Sequence, residues 1–153
     1  MGGLLVLVCF VSDCSFVREK NTKQYIEENN LDNFFLHEIN GELNEEDLFQ
    51  TNECSEELKK VFEHSIGVFF FGGPDIPPGV YGEENTLSVV TDPERHYFET
   101  TFLFHLLGGY WNENFTPFLE DRPKYFVTGF CLGMQTMNVA TGGTLIQDIP
   151  FEV

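Results

Sequence analysis

Positive charge is what this chain has least of. Eight Lys and Arg stand against 25 Asp and Glu, a formal net charge of −17. A phosphate backbone or an anionic membrane surface would be repelled, so neither nucleic acid nor membrane is expected as a partner. Apolar runs are short, and none reaches the roughly 18 residues that a membrane span needs. The N-terminal "GGLLVLVCFV" has no basic flank and leads into "SDCS" rather than a small-residue cleavage site. It reads as a buried strand and not as a signal peptide. Cysteine is scarce, at four: Cys9, Cys14, Cys54 and Cys131. No CxxC and no paired cysteine–histidine spacing suits zinc, and there is no Walker loop and no G-x-G-x-x-G after a strand. No metal and no cofactor are expected. A chain this apolar does not need disulfides, which favours a reducing compartment and hence the cytoplasm.

Aromatic residues are abundant, with 17 Phe, 5 Tyr and 1 Trp in 153 residues. That is enough for one sizeable core, and residues 1–153 are read as a single domain. Leu4–Val11 is a continuous apolar run, as in a strand buried on both faces. A short helix follows around "SFVREKNTKQYIEENN", then a strand over Asn33–Ile39. "NEEDLFQTNECSEELKKVFEHS" predicts one helix with Leu48, Phe49, Leu58, Val61 and Phe62 turned inward and Ser55 capping its second half. Val68–Phe71 reads as a strand cut off by Gly72-Gly73-Pro74. "PERHYFETTFLFHLLGG" is a helix started by Pro93 and stopped by Gly108-Gly109. "YFVTGF" is the fourth strand and "MQTMNVAT" the helix after it, with "TLI" beginning a further strand. Alternating apolar strands and helices predict an α/β fold with a parallel sheet covered on both faces.

In such sheets chemistry collects at the carboxyl ends of the strands. Two of these ends stand out, "FFFGGPD" and "FVTGFCLG". In the second, Gly129 and Gly133 flank Cys131 at −2 and +2. This G-x-C-x-G is the cysteine counterpart of a nucleophile elbow, where a sharp strand-to-helix turn tolerates only small neighbours. The first amides of the following helix favour negative charge on sulfur and can hold an oxyanion. The amide of Leu132 is one natural donor. The Gly72-Gly73 turn is suited to give the second.

These residues resemble a known family. "GFCLGMQTMNVATGGTLIQDIP" is similar to the nucleophile segment of class I glutamine amidotransferases, nearest the gamma-glutamyl hydrolase and gamma-glutamyl-gamma-aminobutyrate hydrolase branch (peptidase family C26). "FFFGGPDIPPGVYGEEN" resembles that branch's oxyanion loop, and "ERHYFETTFLFHLL" the helix between them. The resemblance spans Gly67–Pro150 in the right order. It implies a flavodoxin-like three-layer αβα sandwich with a mostly parallel sheet, and thiol hydrolysis of a small gamma-glutamyl amide substrate through a thioester. Carried over, Cys131 is the nucleophile, Gly73 and Leu132 give the oxyanion amides, Gln135 helps hold the glutamyl end, and Arg95 and Glu99 orient the site. Two residues depart from the pattern: His96 replaces the usual Asp, and Pro77 stands where Asp is common. The connection before the last strand is also longer than usual.

The family's catalytic His and Glu follow the cysteine in a His-x-Glu motif, and this sequence shows none after Cys131. Its histidines, His37, His64, His96 and His105, read as structural or surface groups. The chain is therefore expected to be C-terminally truncated relative to its family, with a partner chain or a homodimer covering the open edge. Two other readings stay open: a glutaminase subunit passing ammonia to a synthetase, and a non-catalytic assembly module that has kept the fold and lost the dyad.

Overall fold

The computed structural model describes residues 6–11 and 16–152, and its chain gathers into two compact units, Met1–Gly41 and Glu42–Val153. Leu4, Leu5 and Cys14 lie outside the described residues.

In the first unit, strand β1 (Val6–Val11), helix α1 (Phe16–Glu28) and strand β2 (Phe34–Ile39) form a β-α-β unit. The two strands pair in parallel, from Val6 opposite Phe34 to Val11 opposite Ile39. Parallel neighbours need a crossover, and α1 supplies it.

The second unit holds α2 (Ser55–His64), β3 (Gly67–Phe70), α3 (Pro93–Leu107), β4 (Phe126–Gly129), α4 (Leu132–Ala140) and the short α5 (Ile149–Glu152). β3 and β4 pair in parallel, Gly67 opposite Phe126 and Phe70 opposite Gly129. Every strand pair among the described residues is parallel, as the α/β flavodoxin-like fold requires. Helix α3 is the most deeply set element. Phe98, Phe102, Leu103, Phe104 and Leu106 are buried, and so are the polar His96, Thr100, Thr101 and His105. Asp92 caps it, its side chain accepting the Arg95 N–H, and Gly108 at φ 67° ends it. No helix among the described residues is long and apolar enough to cross a membrane.

The helix expected across residues 44–65 is in fact broken. Asn44 and Asp47 form a capping box on a single 3-10 turn, Glu45–Asp47. The Asn52 side chain then closes a turn, donating to the carbonyl of Asp47 and accepting the Cys54 N–H. Polar side chains compete here with the helix for backbone partners. Leu48 and Phe49 therefore reach the interior from a loop. Ser55 is no cap either: its hydroxyl accepts the Asn52 N–H and lies 2.7 Å from His105 Nε2. The segment after Gly143 forms no strand. Thr144–Asp148 is irregular and leads into α5.

The C-terminal end of α2 is satisfied from a distance. The Arg122 guanidinium donates to the carbonyls of Phe62, Glu63 and Ser65, and lies over the rings of Phe62 and Tyr125. Charge-assisted bonds to otherwise orphaned helix carbonyls are worth more than neutral ones. Arg122→Ala is expected to lower stability by about 2 kcal/mol in urea unfolding, with Arg122→Lys recovering only part because it lacks the planar fork.

Candidate active site

The chain turns sharply between β4 and α4, and Cys131 stands at the corner. Its backbone is at φ 53°, ψ −111°, outside the regions that side chains other than glycine normally occupy. A conformation of this kind costs about 1–3 kcal/mol and persists only where its surroundings impose it. Three hydrogen bonds do so. The Phe130 N–H donates to Phe70 O, the Gly133 N–H to Phe130 O, and the Met134 N–H to Cys131 O. The flanking glycines let the turn close. A Cβ on Gly129 would stand 2.6 Å from Met134 N, and one on Gly133 would press on the carbonyl of Phe70, 2.7 Å from its carbon. The thiol itself is exposed. Cys54, by contrast, is buried, and burial, with Glu53 adding to it, pushes its thiol up.

The diglycine corner after β3 faces this turn. A Cβ on Gly72 would lie 3.5 Å from Cys131 Cβ and 3.9 Å from its Sγ. One on Gly73 would fall 2.5 Å from Arg95 Nη1 and 2.7 Å from a methyl of Leu132. The corner is held from two sides. Ile76, Val80 and Tyr81, just beyond it, pack in one buried cluster with Leu132 and Val139 of α4 and with Leu48. Side chains of this size stabilise by about 1.5–3 kcal/mol each when fully buried. From the other side, Arg95 Nη2 donates to the carbonyl of Gly72 at 3.2 Å, while its Nε pairs with Glu99 at 2.7 Å. The pair is mostly enclosed, with side-chain exposures of 21 % and 13 %.

The sequence-predicted residues thus come together: Cys131, Leu132, Gly73, Arg95 and Glu99 share one locality. Gln135 is exposed one turn along α4, its N–H directed at Cys131 O. Leu132 holds the first helical position, where the backbone N–H has no acceptor within its own helix. The histidines of the second unit do not join them. His96 is fully buried, and burial, followed by the charge of Arg95, lowers it to about 4. His105 is pinned between Ser55 and the Thr101 carbonyl, and burial lowers it as well. His64 is exposed at the end of α2, with Nδ1 against the carbonyl of Lys60. Among the described residues no three His, Cys, Asp or Glu side chains gather to hold a metal ion.

Two further side chains hold the backbone beyond this corner. Asp75 accepts the Val89 N–H, and the Gln147 carboxamide binds the backbone at Glu84, Thr86 and Leu87. Only "GGPD" and "IQDIP" drew attention to them, as parts of longer motifs.

The sequence profile of Peptidase C26 matches residues 11–153, reaching back into the first unit, which carries no motif of its own. Two curated relatives are similar over 96 residues, 62 % of this chain. A glutamine amidotransferase-like YvdE homolog of Lactococcus lactis subsp. cremoris is 33 % identical there, over 44 % of its own length. The glutamine amidotransferase-like protein YvdE of Lactococcus lactis subsp. lactis is 31 % identical, over 35 % of its length. The chain therefore spans less than half the length of these relatives. With a cysteine at the sharp β4–α4 turn, the diglycine corner opposite it and a profile match over nearly all its residues, the chain belongs to the Peptidase C26 family of class I glutamine amidotransferase-like proteins.

Proposed function

We propose that Cys131 carries out nucleophilic hydrolysis of a gamma-glutamyl amide. The sulfur attacks the amide carbonyl, forming an S–C bond and a tetrahedral oxyanion. The N–H groups of Leu132 and Gly73 receive that oxygen. Its collapse breaks the C–N bond, the amine leaves with a proton, and water then cleaves the thioester to free glutamate. Gln135 takes part in holding the glutamyl end. Arg95 and Glu99 act as positioning residues, fixing the Gly72 carbonyl so that the next amide turns toward the sulfur. The observation that carries this reading is the exposed thiol at a forced backbone angle, with Gly72 so close that a Cβ there would lie 3.9 Å from Sγ.

His96 and His105 are buried away from any substrate, so the general base comes from elsewhere than α3. Phe69, Phe126 and Phe130 form an exposed aromatic group on the β3–β4 pair, and Phe130 directly precedes Cys131. A base-bearing segment or partner chain would find apolar surface to bury there. General acid–base assistance contributes about 10²–10⁴-fold, so turnover depends on it while acylation by a reactive substrate does not.

The test is a chloroketone analogue of glutamine, followed by peptide mass spectrometry. An adduct on Cys131 alone, slowed by excess gamma-glutamyl amide, is the expected result. No adduct, or one that gamma-glutamyl compounds leave unaffected, rejects the reading. The names of the two relatives favour glutamine itself as the alternative substrate, and ammonia release against amine release separates the two cases.

A further inference from the structure

His105 lies on α3 among apolar rings, with Phe104, Phe115 and Phe118 at centroid distances of 6.2, 5.0 and 5.5 Å. Its Nδ1 stands 2.7 Å from the carbonyl of Thr101, which only accepts, so Nδ1 carries the proton. Nε2, 2.7 Å from Ser55 Oγ, is then the acceptor, and the Ser55 hydroxyl donates to it. The same oxygen accepts the Asn52 N–H at 2.8 Å. Asn52 carries the circuit onward. Its Nδ2 donates to Thr101 Oγ1 at 2.7 Å and to the Asp47 carbonyl at 2.9 Å, and the Thr101 hydroxyl donates to the Leu48 carbonyl at 3.0 Å. One tautomer of the ring satisfies every one of these bonds.

A second proton on the ring breaks that pattern. Nε2 becomes a donor, and the Ser55 hydroxyl has to send its own hydrogen elsewhere. Its other acceptor among the described residues, Asn52 Oδ1, is 3.5 Å away and already takes the Cys54 N–H at 3.0 Å. Turning Asn52 to meet it gives up the bonds to Asp47 and Thr101. Among the described residues no carboxylate pairs with the ring. Glu53 and Glu56 at the start of α2 are exposed, as are Glu113 and Glu120 on either side of Phe115 and Phe118, while Glu57 pairs with Lys60 and burial pushes the Cys54 thiol up. We propose that Ser55, Asn52, Thr101 and His105 form a proton-released latch: a proton on His105 frees residues 44–52 and loosens the corner opposite Cys131. Leu48 is fully buried in the cluster that joins Ile76 and Val80 to Leu132, and the Glu45 carboxylate lies against Gly79. Burial lowers the ring's proton affinity while the latch is closed, so a fall in pH through 6.5 favours the open form.

Trp111, the single tryptophan, reports on this loop: its ring stacks on Phe49 at 4.9 Å, and the neighbouring Asn112 donates to the Phe49 carbonyl. In the natural chain its fluorescence is expected to change between pH 6.5 and about 5 while the far-ultraviolet circular dichroism stays native. His105→Gln offers an acceptor and a donor without taking up a proton, and should abolish that change. Rates of Cys131 alkylation by iodoacetamide, taken as the ratio of natural chain to variant so that thiol ionisation cancels, should be equal at pH 7.5 and about threefold lower for the natural chain near pH 5. Ring nitrogen-15 shifts at pH 7.5 test the latch without a variant and should show the proton on Nδ1. A proton on Nε2, a fluorescence change that persists in His105→Gln, or one that coincides with loss of secondary structure overturns the latch. An alkylation ratio of one at both pH values overturns its link to the thiol.

Discussion

Replacing Gly133 with valine is expected to dismantle the β4–α4 turn. The position is buried, and the first carbon of any side chain there would press on the Phe70 carbonyl, 2.8 Å from Phe70 Cβ. That carbonyl cannot retreat. It already accepts the Phe130 N–H at 2.9 Å, and β3 is registered against β4 along its whole length. Helix α4 has to move instead, and with it Leu132 and Val139, which anchor the shared core cluster. Overpacking against backbone of this kind costs about 3 kcal/mol or more. Urea unfolding should show it as a lowered midpoint, and adduct formation at Cys131 with the glutamine chloroketone should be lost under conditions where the variant is still folded. Gly82→Ala is the control. It has φ 78° with nothing within 4 Å of its Cβ position, so only the local conformational cost of about 1 kcal/mol applies and the β4–α4 turn is untouched. A midpoint for Gly133→Val no lower than that of Gly82→Ala would contradict the close packing of the turn.

The second large effect is acid destabilisation through His96. The ring is fully buried on α3, neither nitrogen has a hydrogen-bond partner among the described residues, and its charged neighbours are Arg95, Asp92 and Asp75. Burial and the adjacent Arg95 lower it from 6.5 to about 4, against the opposing pull of the two aspartates. The folded state therefore keeps the ring neutral at a pH where the unfolded chain has already taken up a proton. Stability is fully present above pH 6.5 and is lost as the pH falls from there toward 4, by about 3 kcal/mol in total. His105, lowered by burial, adds to the loss in the same direction. His96→Leu should remove the His96 share of this slope. It should also raise stability at pH 7, because two unpartnered nitrogens leave the core. Unfolding midpoints measured from pH 7.5 down to 4.5 decide it: parallel curves for the two proteins would refute a buried neutral His96.

The placement of His96 shows where a sequence stops being informative. From spacing alone it is one of two histidines nine residues apart on a helix, open to a surface reading. Nearly the whole circumference of α3 is buried, and that is a property of what packs around it. Leu48 and Phe49 show the same limit. Their apolar character correctly marked them as interior, but the helical period assigned to them was wrong, because Asn44 and Asn52 take over backbone bonds that a helix would need. The "TLI" strand failed for a related reason. A short apolar run has no period of its own, and here Leu145 packs at the edge of a cluster already built by other elements.

What the sequence determined by itself was the local geometry of the turn at Cys131. The order strand, Gly-Phe-Cys-Leu-Gly, helix requires a tight turn, and the steric needs of that turn are met only by small residues in fixed positions. Such constraints act within a few bonds, so the order of residues is enough to read them. The resemblance named Gly73 and Arg95 as companions of the sulfur, but only the tertiary structure decided how they reach it. Gly72 is 59 positions away in the chain and Arg95 is 36, and Gln147 ties down a loop some 60 residues earlier. Those approaches depend on the pairing of β3 with β4 and on the core that Leu132 shares with Ile76 and Val80, because burial of apolar surface carries no label of sequence distance.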